Sequence, residues 1–506
     1  MDLGVFAQLF VALLIVCVSL LYVYLRRNFS YWKNRNVTYD KPNLLFGNLS
    51  FIMRKSFWDY FLELRKKYPT NEYVGIFLGW KPTLVVQTPD LARKVLTKDF
   101  EHFQDRLCYS SYGTDPLGSL NLFTLKNPAW SQVRHELSPM FTALRLKYVT
   151  DLMNGNAKEL VDKIKRDHID NDEPVNLKEL FSMYASDTVG SSVFGIKVSA
   201  LKDPSSPLWF ITQHMVKWTF WRGFEFTMVF LVPAVAAFMR LQFFSQQATD
   251  YIKKLFLSVV EERKSAGVGS NSKDLVNHLL KLKENLKLPG VAGTKLADDY
   301  MMAQVAVFIL GSIETSSTIL SYCLHELAHH PKEQEKLYDE INEALKRKGK
   351  DVLDYDDLLE LKYLTACILE TVRKYPPVPH LDRICNKTYK LDDKVTVEKG
   401  TPVFVNVMAL HYDEQVFPEP DQWKPERMAT VQESDNLQFS LIPFGDGPRF
   451  CIGKRYGVMQ VRAALAQMLM KYRIKPTENE PYKVQSDPYS VLLAPLGGGQ
   501  VKFALR

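Results

Sequence analysis

At 506 residues, with 46% apolar side chains, 12% aromatic ones and a net charge of +7, the chain can build one large core. Its basic residues are scattered, which excludes the concentrated stripe that nucleic-acid binding needs. Its six cysteines (17, 108, 323, 367, 385 and 451) make no CxxC pair and no regular framework, so a disulfide scaffold is excluded and a reducing compartment fits.

Leu3 to Leu25 is a run of 23 uncharged, mostly apolar residues. As a helix it would reach about 35 Å, enough for a bilayer core of roughly 30 Å. It is too long for a signal-peptide core and lacks an A-x-A cleavage site, so residues 1–25 read as an uncleaved anchor. Arg26, Arg27, Lys33 and Arg35 follow, against Asp2 in front, which places the body of the chain in the cytosol. The N-x-S/T sequons at Asn28, Asn36, Asn48 and Asn386 are then expected to stay unglycosylated.

Residues 26–55 read as a basic, proline-containing linker, and residues 56–506 as the folded domain. Ser56–Tyr68 has helical spacing, and Tyr73–Phe77 and Pro82–Gln87 look like strands of a small sheet. Beyond them the chain reads mainly helical to about residue 380, with a surface loop expected at Lys264–Lys273. The fold class is therefore mainly α with a small β portion, one large domain without internal repeats.

Trp130 and Arg134 share one helix face, and both are donors that could hold an anionic oxygen together. Thr227–Met239 is apolar but too short to span; a buried helix and a segment dipping into the membrane surface suit it equally. From Asp298 to His330 a helical pattern runs for roughly 50 Å. It carries Gly311, Ser312, Glu314 and Thr315 midway, polar groups that are costly in an apolar helix unless paired or functional. The same helix ends on His325-Glu-Leu-Ala-His329, a literal H-E-x-x-H that makes a membrane-anchored zinc peptidase the rival reading, with His325 and His329 as ligands and Glu326 as base. No further ligand motif follows it, and the three residues read as exposed at a helix end.

Glu370 and Arg373 lie three apart on an amphipathic helix, Leu361–Lys374, and Pro425-Glu-Arg427 comes later. The sequence then concentrates its glycines: Phe444-Gly-Asp-Gly-Pro-Arg-Phe-Cys-Ile-Gly453 precedes a helix at about Arg455–Lys471. Such a stretch is a tight loop that lets backbone approach a ligand and presents one cysteine at a helix N-terminus, which favours thiolate. A lone thiolate so cupped suits an axial haem ligand.

This segment resembles the F-x-x-G-x-R-x-C-x-G signature of the cytochrome P450 haem-thiolate monooxygenases, with Cys451 as the ligand and Phe444, Gly445, Arg449 and Gly453 around it. The other motifs follow in family order: W-x-x-x-R at Trp130 and Arg134, the oxygen-pocket motif at Gly311–Thr315, E-x-x-R at Glu370 and Arg373, and P-E-R ending at Arg427. The resemblance implies haem b on the Cys451 thiolate, O2 as co-substrate, and insertion of one oxygen atom into an apolar small molecule. Electrons would come from NADPH through a membrane-bound reductase, with cytochrome b5 as helper. It implies that Trp130, Arg134, Arg383 and Arg449 bind the haem and its propionates, that Thr315 and Glu314 serve oxygen activation and proton relay, and that Glu370, Arg373 and Arg427 are structural. Ser312 stands where the family usually has glycine, and is expected to alter proton delivery. Phe123, Leu310, Val378 and Leu493 are the expected substrate contacts. Lys126, Arg134, Arg145, Lys147, Lys454 and Arg455 are candidates for a basic docking face. Anchor, length and motif wording are most similar to insect microsomal members associated with detoxification of plant toxins and insecticides, at the endoplasmic reticulum; a hormone or lipid hydroxylase of the same family is the alternative.

Overall fold

The computed structural model describes residues 3–196, 199–265, 274–285, 295–428, 439–478 and 480–506. Most of the expected Lys264–Lys273 loop lies outside them. The helix Leu3–Asn28 leaves most of its described apolar residues exposed, as a lipid-facing helix requires, with Leu25 near its end buried.

Residues 26–55, expected as a linker, instead clasp the sheet. Trp32 is fully buried, donates its indole N–H to the Ile76 carbonyl at 3.1 Å, and covers Gly75 so closely that a Cβ there would meet the ring at 2.4 Å. Asn48 is buried too, and its side-chain carbonyl accepts from the Phe77 N–H at 2.8 Å. Two sequons are thereby engaged within the fold, since the Asn386 amide likewise bonds Gln104 and Asp105.

The sheet beneath this clasp has four strands. Tyr73–Leu78 and Lys81–Val86 form an antiparallel hairpin. Pro402–Asn406 joins Lys81–Val86 in parallel, and His380–Ile384 closes the order antiparallel to it. Nearly every residue of these strands is buried, as a sheet covered on both faces demands. A second sheet pairs Val175–Asn176, Gln500–Leu505 and Tyr472–Pro476.

Helices make up most of the rest, around Lys295–His329, which begins three residues before the expected start. By length and hydropathy this helix could cross a bilayer, but 72% of its apolar window is buried within the protein. It is apolar all round because it is the axis of the core. Its first half, with Val305, Ile309 and Ile313, packs into one apolar cluster, and its second, with Leu320, Leu324 and Leu327, into another. Between those halves lie Gly311–Thr315.

The Thr227–Met239 run divides between its two readings. It falls in helices Phe220–Leu231 and Pro233–Phe238. Phe226, Val229 and Leu231 face the core, whereas Phe220, Trp221, Phe238 and Met239 are exposed. Val232 lies against Gly79 of the hairpin, next to exposed Trp80, whose indole N–H donates to the Leu45 carbonyl. Asn28, where the first helix ends, donates to the Trp80 carbonyl. Exposed Trp80 and Leu45 thus lie beside the end of that helix.

Candidate functional site

The loop that presents Cys451 owes its shape to glycine. Gly445 and Gly447 have φ of +72° and +69°, and a Cβ on Gly447 would fall 1.8 Å from the Leu96 carbonyl oxygen. The loop is closed by the Cys451 N–H, which donates to the Phe444 carbonyl at 2.8 Å, and by the Phe450 N–H, which donates to Gly447 at 3.0 Å. Cys451 makes no disulfide and opens onto a large cavity that also meets Phe444, Gly445, Arg449 and Gly453. Helix Lys454–Lys471 starts directly behind it. Burial pushes the Cys451 thiol up, and the Gly453 N–H with Arg134, Arg106 and Lys454 pulls it only partly back. A bound metal ion would favour the thiolate there.

Five arginines line the same cavity: Arg106, Arg134, Arg145, Arg383 and Arg449. Helix Ala129–Leu137 carries Trp130 and Arg134 and lays both on the Cys451 loop, Trp130 under the Arg449 guanidinium at 4.1 Å and Arg134 over the Phe450 ring at 4.7 Å. Arg449 donates to the carbonyls of Gln104 and Leu125, at 2.5 and 2.9 Å, and Arg383 to that of Asp382 at 2.8 Å. The Nη1 of Arg449 and the Nε of Arg383 are buried without a partner. Burial, with repulsion from Arg106, lowers Arg449 to about 8 and Arg383 to about 9. Arg449 also meets the Asp105 carboxylate at 3.4 Å, and the buried guanidinium nitrogens that remain without a partner call for an anionic group in the cavity. A haem would fit these residues: Cys451 could hold its iron, and the arginine donors its two propionates.

Arg106 was not legible from sequence. It stacks on Phe123 at 4.2 Å and pairs with Asp382 at 3.3 Å, a partner 276 residues away, so no local motif marks it.

Across the cavity stands the middle of the long helix. Leu310, Gly311, Ser312 and Thr315 line the cavity, and the Thr315 hydroxyl donates to the Gly311 carbonyl at 2.7 Å. Glu314 does not line it. This carboxylate is fully buried and turned to Lys178 at 3.1 Å, with the Trp218 indole N–H at 3.3 Å. Burial is the main influence on Lys178 and lowers its pKa, against the pull of Glu314.

Phe123 and Val378 line the cavity as expected. Leu493 does not: its side chain packs with Tyr322 and Tyr375, and its neighbours Val491 and Leu492 face the cavity. The ceiling is aromatic, with Phe226, Phe230 and Phe243 beside Phe123 at centroid distances between 4.9 and 6.3 Å.

The expected docking face shrinks. Lys126 turns inward, its ammonium donating to the carbonyls of Arg106 and Cys108, and Arg134 and Arg145 line the cavity. Lys147 is exposed but paired with Asp356 at 2.6 Å; Lys454 and Arg455 are exposed.

Glu370, Arg373 and Arg427 form one buried knot. Arg373 donates to both Glu370 oxygens at 2.8 and 2.9 Å, and Arg427 to one of them at 3.0 Å. Of the H-E-x-x-H residues, expected at the surface, His325 and Glu326 are instead in the core and His329 is half-buried. Glu326 is fully buried and takes hydrogen bonds from Lys374 (2.7 Å), Tyr375 (2.6 Å) and Tyr482 (3.0 Å), while His325 is buried against the Tyr482 carbonyl. A carboxylate so occupied is a structural hub. Among the described residues no group of three His, Cys, Asp or Glu side chains is arranged to hold a metal ion.

The comparisons with known proteins agree with this geometry. The family model described as Cytochrome P450 matches residues 38–503. The chain is 32% identical to Cytochrome P450 6k1 of Blattella germanica, over 95% of this chain and 94% of that protein. It is also 32% identical to Probable cytochrome P450 6g2 of Drosophila melanogaster, over 96% and 97% of the two chains, and 31% identical to Cytochrome P450 9c1 of the same fly, over 94% of each.

Proposed function

The chain belongs to the cytochrome P450 family and is a monooxygenase of that family, and from this premise we propose that it oxidises uncharged, apolar xenobiotics such as plant toxins and insecticides. Electrons reach it from NADPH through a partner reductase, with cytochrome b5 as helper and exposed Lys454 and Arg455 at the docking face. The body sits on the cytosolic side of the endoplasmic reticulum membrane. The Leu3–Asn28 helix and the exposed Leu45 and Trp80 beside its end support that seat.

One observation carries the reading: Cys451, orphaned arginine donors and the hydroxyl of Thr315 converge on a cavity whose remaining walls are mostly aromatic and aliphatic. Haem held there on Cys451 supplies activation of O2 and transfer of one oxygen atom. Arg383 and Arg449 bind its propionates, with Arg106 and Arg134 beside them. The Phe ceiling excludes water and holds an apolar substrate by area rather than by hydrogen bonds, which favours several shapes over one. Thr315 and Ser312 offer protons at the cavity wall, and Glu314 is the reservoir behind them.

The test is the reduced-plus-carbon-monoxide difference spectrum of the purified protein beside a Cys451→Ala control. A strongly red-shifted Soret band, absent from the control, is expected. Well-folded protein without that band would overturn the haem-thiolate assignment. Product formation from a panel of apolar xenobiotics with reductase and NADPH then tests the substrate class; turnover confined to hormones or fatty acids would refute it.

A further inference from the structure

Leu241–Phe244 forms no helix or strand, yet Leu241, Phe243 and Phe244 are buried. Buried backbone outside a regular ladder must find its hydrogen bonds elsewhere. Charged side chains supply them here. Asp115 accepts from the N–H groups of Phe243 (2.7 Å) and Phe244 (3.2 Å), and Glu225 accepts from that of Gln242 at 2.9 Å. Arg222, paired with Glu225 at 2.6 Å, donates to the carbonyls of Gln242 (3.0 Å) and Phe243.

Asp115 comes from a distant part of the chain and is itself only 1% exposed. It caps the short helix Pro116–Leu120, accepting from the Gly118 N–H and the Ser110 hydroxyl, both at 2.8 Å. The Gln242 side chain returns to the Thr114 carbonyl at 2.8 Å. One carboxylate is thus shared between the segment leading to Phe123 and the turn that carries Phe243. Both rings line the cavity, 6.3 Å apart.

Resting on the reading of this cavity as the substrate site, we propose that Asp115 is a positioning residue for its aromatic ceiling: by holding Phe243 in register with Phe123, it limits the size of apolar ligand that the cavity admits. All four of its partners are donors, so the carboxylate has no substitute of equal shape. Asp115→Asn keeps the volume but turns one acceptor oxygen into an NH2 group among those donors.

The experiment uses the full-length holoenzyme and two apolar probes, styrene and phenanthrene, with binding followed by the Soret shift and amide hydrogen exchange read on the same samples. In Asp115→Asn the association rate of phenanthrene is expected to rise about tenfold, as loss of a charge-assisted hydrogen bond would give. That of styrene should change by less than about twofold, the smaller ring needing no movement of the ceiling. Exchange should quicken in 110–118 and 241–244 but stay unchanged in the Cys451 loop. Unaltered phenanthrene entry would overturn the proposal, as would equal change for both probes with faster exchange throughout, which marks general loosening. Wild-type protein that binds neither probe would defeat the substrate reading itself, and with it this proposal. If Asp115→Asn yields no folded holoenzyme, Ser110→Ala, which removes one donor, carries the same test; about a threefold rise for phenanthrene is expected from so partial a loss, and no rise overturns it.

Discussion

The ammonium of Lys178 lies 3.1 Å from the Glu314 carboxylate, in the core, while the next residue, Thr315, opens onto the cavity. The same ammonium donates to the Glu314 carbonyl (2.9 Å) and to the hydroxyls of Ser317 (2.7 Å) and Thr318 (2.9 Å). The second oxygen of Glu314 is buried without a partner. The acid of the oxygen-pocket motif is therefore held one step behind the wall that its neighbours form, by a lysine 136 residues away.

Lys178→Met would strand a buried carboxylate, and breaking a buried pair from one side costs about 3–5 kcal/mol. The guanidinium midpoint is expected to fall accordingly. Removing both charges in Lys178→Met with Glu314→Leu should restore most of the loss. A double variant no more stable than the single one would show that the two groups are not coupled.

Ser312 lines the cavity beside Thr315. Ser312→Gly removes one of the three hydroxyls that this helix brings to the cavity, with Thr315 and Ser316, and product formed per NADPH consumed is expected to fall at least about twofold, with peroxide released instead. An unchanged ratio would take Ser312 out of the proton path.

Glu370 holds Arg373 and Arg427 and also accepts from the Lys424 N–H at 3.0 Å. Arg373 is wholly buried, so Glu370→Gln would leave its charge uncompensated at a cost of about 3–5 kcal/mol. Both the denaturation midpoint and the haem retained after gel filtration should drop; wild-type values for both would contradict the structural role.

His411 is buried, its Nδ1 against the Arg373 carbonyl at 3.0 Å and its Nε2 accepting from the Ile442 N–H at 3.1 Å. Burial is the main cause that lowers its pKa from 6.5 to about 3. The unfolded chain then binds the proton first, so stability is intact above pH 6.5 and falls as the pH drops from 6.5 towards 3. At ~1.4 kcal/mol per unit, the full loss is about 4–5 kcal/mol, and protonation also unpins Ile442, where the chain enters the Cys451 loop. Denaturation midpoints from pH 7.5 to 4.5 test this: a His411→Gln variant should start less stable and show a flatter slope. An equal slope would assign the acid sensitivity elsewhere.

Features carried by one stretch of chain were legible without coordinates. The anchor announces itself by an unbroken apolar run, the long helix by its length and closing proline, and the Cys451 loop by glycines that tight backbone requires. Even the Asp115-Pro116 helix start carries a local signature. Other features exist only where distant segments meet. Trp32 turned a basic linker into a clasp because an indole gains more against Gly75 than in water. The H-E-x-x-H glutamate is occupied by Tyr375 and Tyr482, and Leu493 faces two tyrosines rather than the cavity. Arg106, Lys178 and Asp115 take their meaning from partners more than 120 residues away: Asp382 at 276, Glu314 at 136 and Phe243 at 128. The sequence by itself determined the main elements and the Cys451 loop, because periodicity, hydrophobicity and glycine act over a few residues. Only the tertiary structure decided which charges are paired and which side chains face the cavity, because burial makes an unpaired polar group costly and leaves the choice of partner to packing.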